Sequence, residues 1–325
     1  MGVTKADLIR SGVWLEKTDE EWTEELRTVK EVLGNYARND SWAVKIKKNI
    51  GILLTGSTSG SPFLKGSVES HRALGYWTVL SFDNFINPET SDIDYNALMP
   101  PKDIMEKVDS FIITHPYQTW GGVSYPFIFQ LRIASGIFHS FDYVFVNNSD
   151  CIIEKPEGIP QLIELLGDGD ILSSGPALER EIGTAGILMR SSAFIKIAKH
   201  MNDHMVPHEE YNNSTQEFGN TEGRLAVACR QLGLKVVSTV CGSCPTHVNC
   251  CEQMHESGHG TWYDLIGFRH IHGELNYAYR YKGIPPSHKY LDVRYANPWD
   301  YAMCKAYDET KDIAVLKDWW EAGSK

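Results

Sequence analysis

The sequence lacks several features that would place it in a specialised class of protein. No apolar run among its 325 residues approaches the roughly 18 residues that a membrane-spanning helix requires. The segment 1–22 has no hydrophobic region of the kind that a secretory signal peptide carries. Internal repeats and low-complexity segments are also missing. Hydrophobic residues make up 42% of the chain and charged residues 22%, which excludes wholesale disorder and collagen. We therefore expect a soluble globular protein without membrane insertion.

Positive charge is scarce relative to negative charge. The chain has 31 Lys and Arg against 42 Asp and Glu, a formal net charge of −11. The overall field of such a protein does not attract nucleic acid, so any contact with nucleic acid requires a local basic patch.

The seven cysteines are odd in number and unevenly placed. This favours a reducing compartment over a secreted disulfide framework, so we expect a cytoplasmic location. Four of the seven form a cluster with irregular spacing: Cys241, Cys244, Cys250 and Cys251. Three states are open to this cluster, namely a structural Zn²⁺ site, free thiols or a disulfide.

The chain divides into three parts. Residues 1–48 predict a helical N-terminal extension, in which Thr18 and Glu21 have the spacing of a capping box. Residues 49–275 alternate short apolar strands with helices, which predicts an α/β domain whose parallel or mixed sheet is covered on both faces. Residues 276–325 form a tail rich in Tyr, Trp, Lys and Arg, which we expect to pack on that domain.

The segment 125–153 is the most informative. A helix containing Arg132 leads into a buried strand, YVFVNN, which ends at Asn148 and is followed by Asp150. Open α/β sheets bind ligands at the carboxyl ends of their strands, and oxygen ligands suit a hard divalent cation. The alternative is that Asn148 and Asp150 only cap the following turn.

Arg132, Asn148-Ser149-Asp150 and Ile152-Ile153 resemble the GT-A class of nucleotide-sugar glycosyltransferases, especially the glycogenin and galactosyltransferase-like members, in order and spacing. Those enzymes carry an Arg on the helix before the strand and then an Asp-x-Asp motif followed by aliphatic residues. This chain departs from the motif at its first acidic position, which is Asn148.

The resemblance implies a GT-A fold and an enzyme that moves a sugar from a nucleotide diphosphate sugar, with a UDP-sugar favoured, to a hydroxyl acceptor. It implies Mn²⁺ or Mg²⁺ on the diphosphate, held by Asn148, Asp150 and His272, with His270 a less favoured ligand. The acceptor class stays open among a glycan, a protein, a lipid-linked sugar, a small molecule and a modified DNA base.

The resemblance also assigns roles to other residues. It places the nucleoside near Thr55, Gly56, Ser57 and Asp83, and the donor sugar near Gly186. It implies positive charge from Arg132 at the diphosphate. Arg280 and Lys282, just after the histidine pair, are further candidates, because a departing nucleoside diphosphate requires positive charge. The ordinary interpretation of each is a turn, a tight packing contact or aromatic packing of the tail.

Glu222 lies at the start of a predicted helix over 220–232. In an inverting enzyme that resembles this one, Glu222 is the general base for the acceptor hydroxyl, with Glu217 as the alternative. In a retaining enzyme it only binds the acceptor. The ordinary interpretation is that a carboxylate stabilises the helix N-terminus.

Two other functions fit the same pattern. A sugar-1-phosphate nucleotidyltransferase shares a similar sheet, but its glycine-rich loop carries an Arg, and TGSTSGSPFLKG has Pro62 and Lys65 without one. A non-catalytic nucleotide-sugar-binding module, in which Asn148 marks a decayed metal site, is the other alternative.

Overall fold

The computed structural model describes residues 50–57, 61–83, 101–114, 124–174, 177–178, 181–183, 185–204, 221–239 and 259–323. The predicted N-terminal extension, Glu217 and the four clustered cysteines lie outside the described residues.

The strands of the described residues are β1 (Ile50–Ser57), β2 (Trp77–Asp83), β3 (Ser110–Thr114), β4 (Tyr143–Asn148), β5 (Cys151–Ile153), β6 (Ile171–Ser173), β7 (Ala177–Leu178), β8 (Glu181–Ile182), β9 (Ile187–Arg190), β10 (Val236–Ser238) and β11 (Phe268–His270). Seven of them form a central sheet in the order β10-β6-β9-β4-β1-β2-β3. Strand β9 runs antiparallel to both β4 and β6, and every other neighbouring pair in this sheet is parallel. Two smaller sheets pair β5 with β11 and β7 with β8.

Ten α-helices in the described ranges surround these sheets. They are α1 (Leu64–Ala73), α2 (Lys102–Met105), α3 (Ser124–Phe138), α4 (Ile159–Leu166), α5 (Ser191–Asp203), α6 (Thr221–Gln231), α7 (His259–Ile266), α8 (Ile271–Tyr281), α9 (Pro298–Thr310) and α10 (Lys317–Gly323) among the described residues. Short 3₁₀ turns occupy Pro156–Gly158, His288–Tyr290 and Ile313–Leu316.

Both faces of the central sheet are buried under helices. Alternate residues of β1 point to opposite faces, so Leu53 packs with α3, α5 and α6 while Ile52 and Leu54 pack with α1, α4 and α7. All three side chains are fully buried. The unbroken apolar run of β1 is therefore the pattern of a strand covered on both sides. The predicted α/β architecture, a mixed sheet flanked by helices, is confirmed.

The C-terminal tail has a core of its own, built on the small β5–β11 sheet. Ile152 of β5 packs there with Ile271, Leu275 and Ala278 of α8 and with Trp319 of α10. The sequence-based boundary between residues 275 and 276 falls inside α8, whose residues on both sides of it join this one cluster.

Register places four strand ends at one edge of the central sheet. Thr55 of β1 pairs with Asn148 of β4, and Asp83 of β2 pairs with Thr114 of β3. Strand β9 starts at the same edge, because Ile187 pairs with Val146. We call this the carboxyl edge. None of the helices in the described ranges is long and apolar enough to cross a membrane.

Candidate metal and donor site

Asp150 lies at the carboxyl edge, in the turn between β4 and β5. Strand β5 pairs antiparallel with β11, and this register sets His270 opposite Cys151. As a result the His270 Nε2 atom lies 2.9 Å from Asp150 Oδ2. The backbone N–H of Ile271 also donates to the Asp150 carbonyl oxygen at 2.9 Å. Two segments that are far apart in sequence therefore meet at this carboxylate.

His272 lies on the same side but further away. Its Nδ1 atom is 3.8 Å from Asp150 Oδ2, and its side chain is 56% exposed. Its ring stacks on Phe63, with 5.4 Å between the ring centroids. The sequence favoured His272 over His270 as the metal-side histidine, whereas in the structure His270 is the nearer of the two.

Asp150 and His270 stabilise each other's charge. Burial by itself raises the pKa of Asp150, but the charge and hydrogen bond of His270, followed by the charge of His272, outweigh burial and leave that pKa lowered. Burial lowers the pKa of His270, and the Asp150 carboxylate more than offsets this, so its pKa is raised. A divalent cation held by these two side chains would supply positive charge in place of the proton.

The donor set fits a divalent cation. Asp150 offers a carboxylate and His270 an imidazole, and Asn148 offers the side-chain oxygen Oδ1, which lies 3.4 Å from Thr55 Oγ1. Mixed oxygen and nitrogen ligands suit Mn²⁺ better than Mg²⁺, which prefers oxygen and water.

Cys151 is close but is a poor ligand. Its ligand atom and those of Asp150 and His270 all lie within 4.8 Å of one another. A metal takes cysteine as the thiolate, yet burial and the neighbouring Asp150 charge raise the pKa of Cys151 well above its usual value. The thiol Sγ instead donates towards Asp150 Oδ1 across 3.8 Å.

The predicted nucleoside residues lie at the same edge. Thr55 is buried beside Asn148. Gly56 and Ser57 follow it to the end of β1, and Asp83 ends β2. The side chains of Ser57 and Asp83 lie outside the described residues, so the structure brings together the backbone positions of these residues.

Gly186 immediately precedes β9 and is required there for packing. Its φ of +78° disfavours any residue with a side chain, and an added Cβ would lie 2.8 Å from Ser174 Oγ and 3.0 Å from Phe268. The Gly186 carbonyl also accepts from the Ser174 N–H at 2.9 Å. The structure therefore agrees with the interpretation that Gly186 allows tight packing. A role beside the donor sugar stays a prediction.

Arg132 and Glu222 lie on helices that flank the sheet. Arg132 is buried in the middle of α3, which packs against β1 and β3. Glu222 is partly exposed in the first turn of α6, so the predicted helix start is confirmed. The roles of both residues stay predictions.

Lys282 does not join this group. It caps the C-terminus of α8 in a left-handed conformation with φ of +53° and is exposed. At 1.5 Å per residue it lies about 18 Å along the helix from His270, further than a lysine side chain extends. Lys282 is therefore left out of the site that we propose.

A buried polar pair beneath this edge was missed by the sequence analysis. His71 of α1 and Asn147 of β4 are both fully buried, and Asn147 Nδ2 lies 3.0 Å from His71 Nε2. His71 Nδ1 lies 2.8 Å from the Ser67 carbonyl oxygen. Burial, partly opposed by this backbone hydrogen bond, lowers the pKa of His71 from 6.5 to about 4. An Asn inside the apolar run YVFVNN was the available signal.

We expect His71 to make stability depend on pH. Its folded pKa of about 4 lies below 6.5, so the unfolded chain takes up the proton first, and stability is lost as pH falls from 6.5 towards 4. The loss between pH 7.5 and pH 5 is about 2 kcal/mol. Urea unfolding of wild type and His71→Gln at both pH values measures it, since the variant lacks this contribution. An equal loss of stability in both proteins would contradict the expectation.

Comparisons with known proteins give little further guidance. No protein-family model matches the chain, and no curated protein matches its sequence. Among solved structures it is similar to the 4-diphosphocytidyl-2C-methyl-D-erythritol synthase from Anaerococcus prevotii, at 13% identity and a TM-score of 0.35, over 66% of this chain and 96% of that one. A likeness at this level carries no inference about activity.

Proposed function

We propose that this protein is a glycosyltransferase that takes a sugar from a nucleotide diphosphate sugar and moves it to a hydroxyl acceptor with the help of Mn²⁺. The observation that carries the proposal is the Asp150–His270 contact at the carboxyl edge, 2.9 Å between Oδ2 and Nε2. A mixed α/β sheet binds its ligands at this edge, and the residues there form a donor set for a cation that a diphosphate would share.

Three side chains would hold the cation: Asp150, His270 and Asn148, with His272 close enough to approach as its ring turns. When bound, Mn²⁺ supplies Lewis-acid stabilisation of the departing nucleoside diphosphate. The single negative charge among these ligands is consistent with moderate affinity, since Asn148 contributes an oxygen but no charge.

The strand ends would bind the nucleoside and sugar. Thr55, Gly56 and Ser57 would offer backbone groups at the end of β1. Asp83 lies at the end of β2, and β2 is two strands away from β4 in the sheet. The turn at Gly186 begins β9 at the same edge and would border the donor sugar. We propose that the positive charge of Arg132 supports the diphosphate side from within α3.

Glu222 is the proposed acceptor-side carboxylate. In an inverting reaction it would remove the proton of the acceptor hydroxyl as that oxygen attacks the anomeric carbon. In a retaining reaction it would bind the acceptor by hydrogen bonds alone.

A donor screen tests the function. The full chain is incubated with UDP- and GDP-sugars in Mn²⁺, Mg²⁺ or EDTA, and release of the nucleoside diphosphate is measured. We expect Mn²⁺-dependent release from at least one donor. Pyrophosphate release from a nucleoside triphosphate and a sugar 1-phosphate would instead identify a nucleotidyltransferase. Absence of turnover with every donor, together with no shift in melting temperature, would refute the proposal.

The two histidines are expected to differ in importance. His270→Ala removes the imidazole at 2.9 Å from Asp150, whereas His272→Ala removes one at 3.8 Å that is mostly exposed. We expect the first variant to weaken Mn²⁺ binding about 10- to 100-fold, as loss of a ligand or its partner does, and the second to weaken it less. Titration of Mn²⁺ followed by electron paramagnetic resonance compares them. A larger loss in His272→Ala would restore it as the principal ligand.

A further inference from the structure

In the turn 148–150, one backbone group of each residue makes a hydrogen bond that holds the turn in place. The Asn148 N–H donates to the side-chain oxygen of Asn147 at 3.0 Å. The Ser149 N–H donates to the Thr55 carbonyl oxygen at 2.9 Å, and the Asp150 carbonyl oxygen accepts from Ile271 at 2.9 Å. The last two bonds come from neighbouring strands and helices, whereas the first depends on a side chain.

The first of these bonds is needed because β9 does not extend that far. The ladder between β4 and β9 ends at the Val146–Ile187 pair, so Asn148 lies beyond it. A buried or half-buried N–H without a partner is costly, and Asn147 Oδ1 takes the place of the missing strand.

His71 determines which way the Asn147 amide faces. The Ser67 carbonyl oxygen, 2.8 Å from His71 Nδ1, only accepts, so Nδ1 carries the proton and Nε2 is left as an acceptor. The group facing Nε2 at 3.0 Å must then be the Asn147 NH₂. This directs Asn147 Oδ1 towards the Asn148 N–H. A flipped amide would place an oxygen against Nε2 and an NH₂ against an N–H, two contacts without a hydrogen bond.

We propose that His71 and Asn147 are positioning residues, which together orient the turn 148–150 so that Asn148 and Asp150 present their oxygens to one cation. The role as metal-site support rests on the proposed function; the orientation of the turn does not. Both side chains are fully buried, so neither would touch the cation or the substrate. His71 acts through Asn147, and Asn147 acts through the backbone of Asn148. The pair belongs to the buried face of β4, where aliphatic side chains would otherwise suffice.

The test uses three variants of α1 in the full chain. His71→Leu removes the acceptor at Nε2, and His71→Gln keeps an acceptor on a side chain of similar length. Val68→Ala is the matched control, because Val68 is fully buried on the same helix and its truncation destabilises the core while both polar side chains of the pair are kept. Two quantities are measured: hydrogen exchange of peptides that cover 146–151, without metal, and the dissociation constant of Mn²⁺.

We expect His71→Leu to accelerate exchange in 146–151 and to weaken Mn²⁺ binding about 10-fold, in the range found for residues that orient metal ligands. His71→Gln should stay within about 3-fold of wild type, and Val68→Ala should match wild type in both measurements. Equal exchange and equal Mn²⁺ affinity in His71→Leu and Val68→Ala would overturn the proposal. If wild type binds no Mn²⁺, the proposed function fails, and the exchange data still decide whether the pair orients the turn.

Asn147→Leu tests the same chain of contacts, from His71 through Asn147 to the Asn148 N–H, at its Asn147 end. It also provides the test if His71→Leu does not fold. It keeps the shape of the side chain and removes the acceptor for the Asn148 N–H, so we expect the same faster exchange and weaker binding. Because the two residues act in series, the double variant with His71→Leu should be no worse than Asn147→Leu alone. Unchanged hydrogen exchange in Asn147→Leu, or additive effects in the double variant, would overturn the proposal that His71 acts through Asn147.

Discussion

Asp150→Asn is expected to reduce release of nucleoside diphosphate on the order of 10³-fold and to abolish measurable Mn²⁺ binding. The substitution keeps the size of the side chain and its place 2.9 Å from His270. It removes the only negative charge among the proposed ligands. The new amide would offer the cation an oxygen without a charge, as the Asn148 amide already does. Turnover with saturating donor and Mn²⁺ titration measure the two effects.

The matched control is Asp142→Asn, the same substitution at the opposite end of the same strand. Asp142 directly precedes β4 and is exposed, and it accepts from the Ser191 N–H at 3.0 Å through its backbone carbonyl oxygen. We expect wild-type turnover and Mn²⁺ affinity in this variant. If Asp150→Asn retained turnover, the cation would have to bind elsewhere, and the assignment of the carboxyl edge as the metal site would be wrong.

The position of Asp150 could be predicted from the sequence because it depends on a local pattern. A continuous apolar run such as YVFVNN forms a strand buried on both faces, and the first carboxylate after it must lie at the sheet edge. The same argument gave β1 and β2. The contact with His270 has no such pattern, since it depends on two three-residue strands, Cys151–Ile153 and Phe268–His270, that pair across a long separation in sequence.

The position of Lys282 could not be predicted in the same way. It was grouped with the histidines because only ten residues separate it from His272, but those residues form α8, which carries it to the far end of the helix. The sequence pattern of the tail does not clearly predict that helix. In NYAYRYKG the aromatic residues recur every two residues, which is the spacing of a strand. The His71–Asn147 pair is hidden for a related reason. Its proposed role depends on which polar atoms face each other, and the spacing of residues in the sequence does not report this.

The largest effect on stability is expected from Gly158→Ala. Gly158 has ordinary dihedral angles, φ −82° and ψ −9°, so an alanine meets no backbone strain there. An added Cβ, however, would lie 1.8 Å from the Leu265 carbonyl oxygen and 2.5 Å from its carbon. Both atoms belong to the backbone of α7 and cannot move as a side chain tip does. The helix and the turn must separate.

That separation is resisted by bonds on either side. The Lys155 N–H donates to the Ile266 carbonyl oxygen at 2.9 Å and the Glu154 N–H to the Gly267 carbonyl oxygen at 3.3 Å. On its other side α7 carries Trp262, which is fully buried and stacks on Phe145 of β4 with 5.7 Å between ring centroids. We therefore expect Gly158→Ala to lower the free energy of unfolding by about 3 kcal/mol or more.

Gly233→Ala separates steric overlap from loss of glycine itself. Gly233 has a φ of +63°, and an added Cβ there meets nothing within 4 Å, so its cost is backbone strain alone, about 1 kcal/mol. Urea unfolding of both variants gives the comparison. Helix α7 leads through Gly267 directly into β11, so displacement of α7 also moves His270 away from Asp150. We therefore expect Gly158→Ala to weaken Mn²⁺ binding and Gly233→Ala to leave it unchanged. Equal losses of unfolding free energy in the two variants would show that α7 does not pack against the 156–158 turn as described. That packing could then not be what holds β11, and with it His270, at the carboxyl edge.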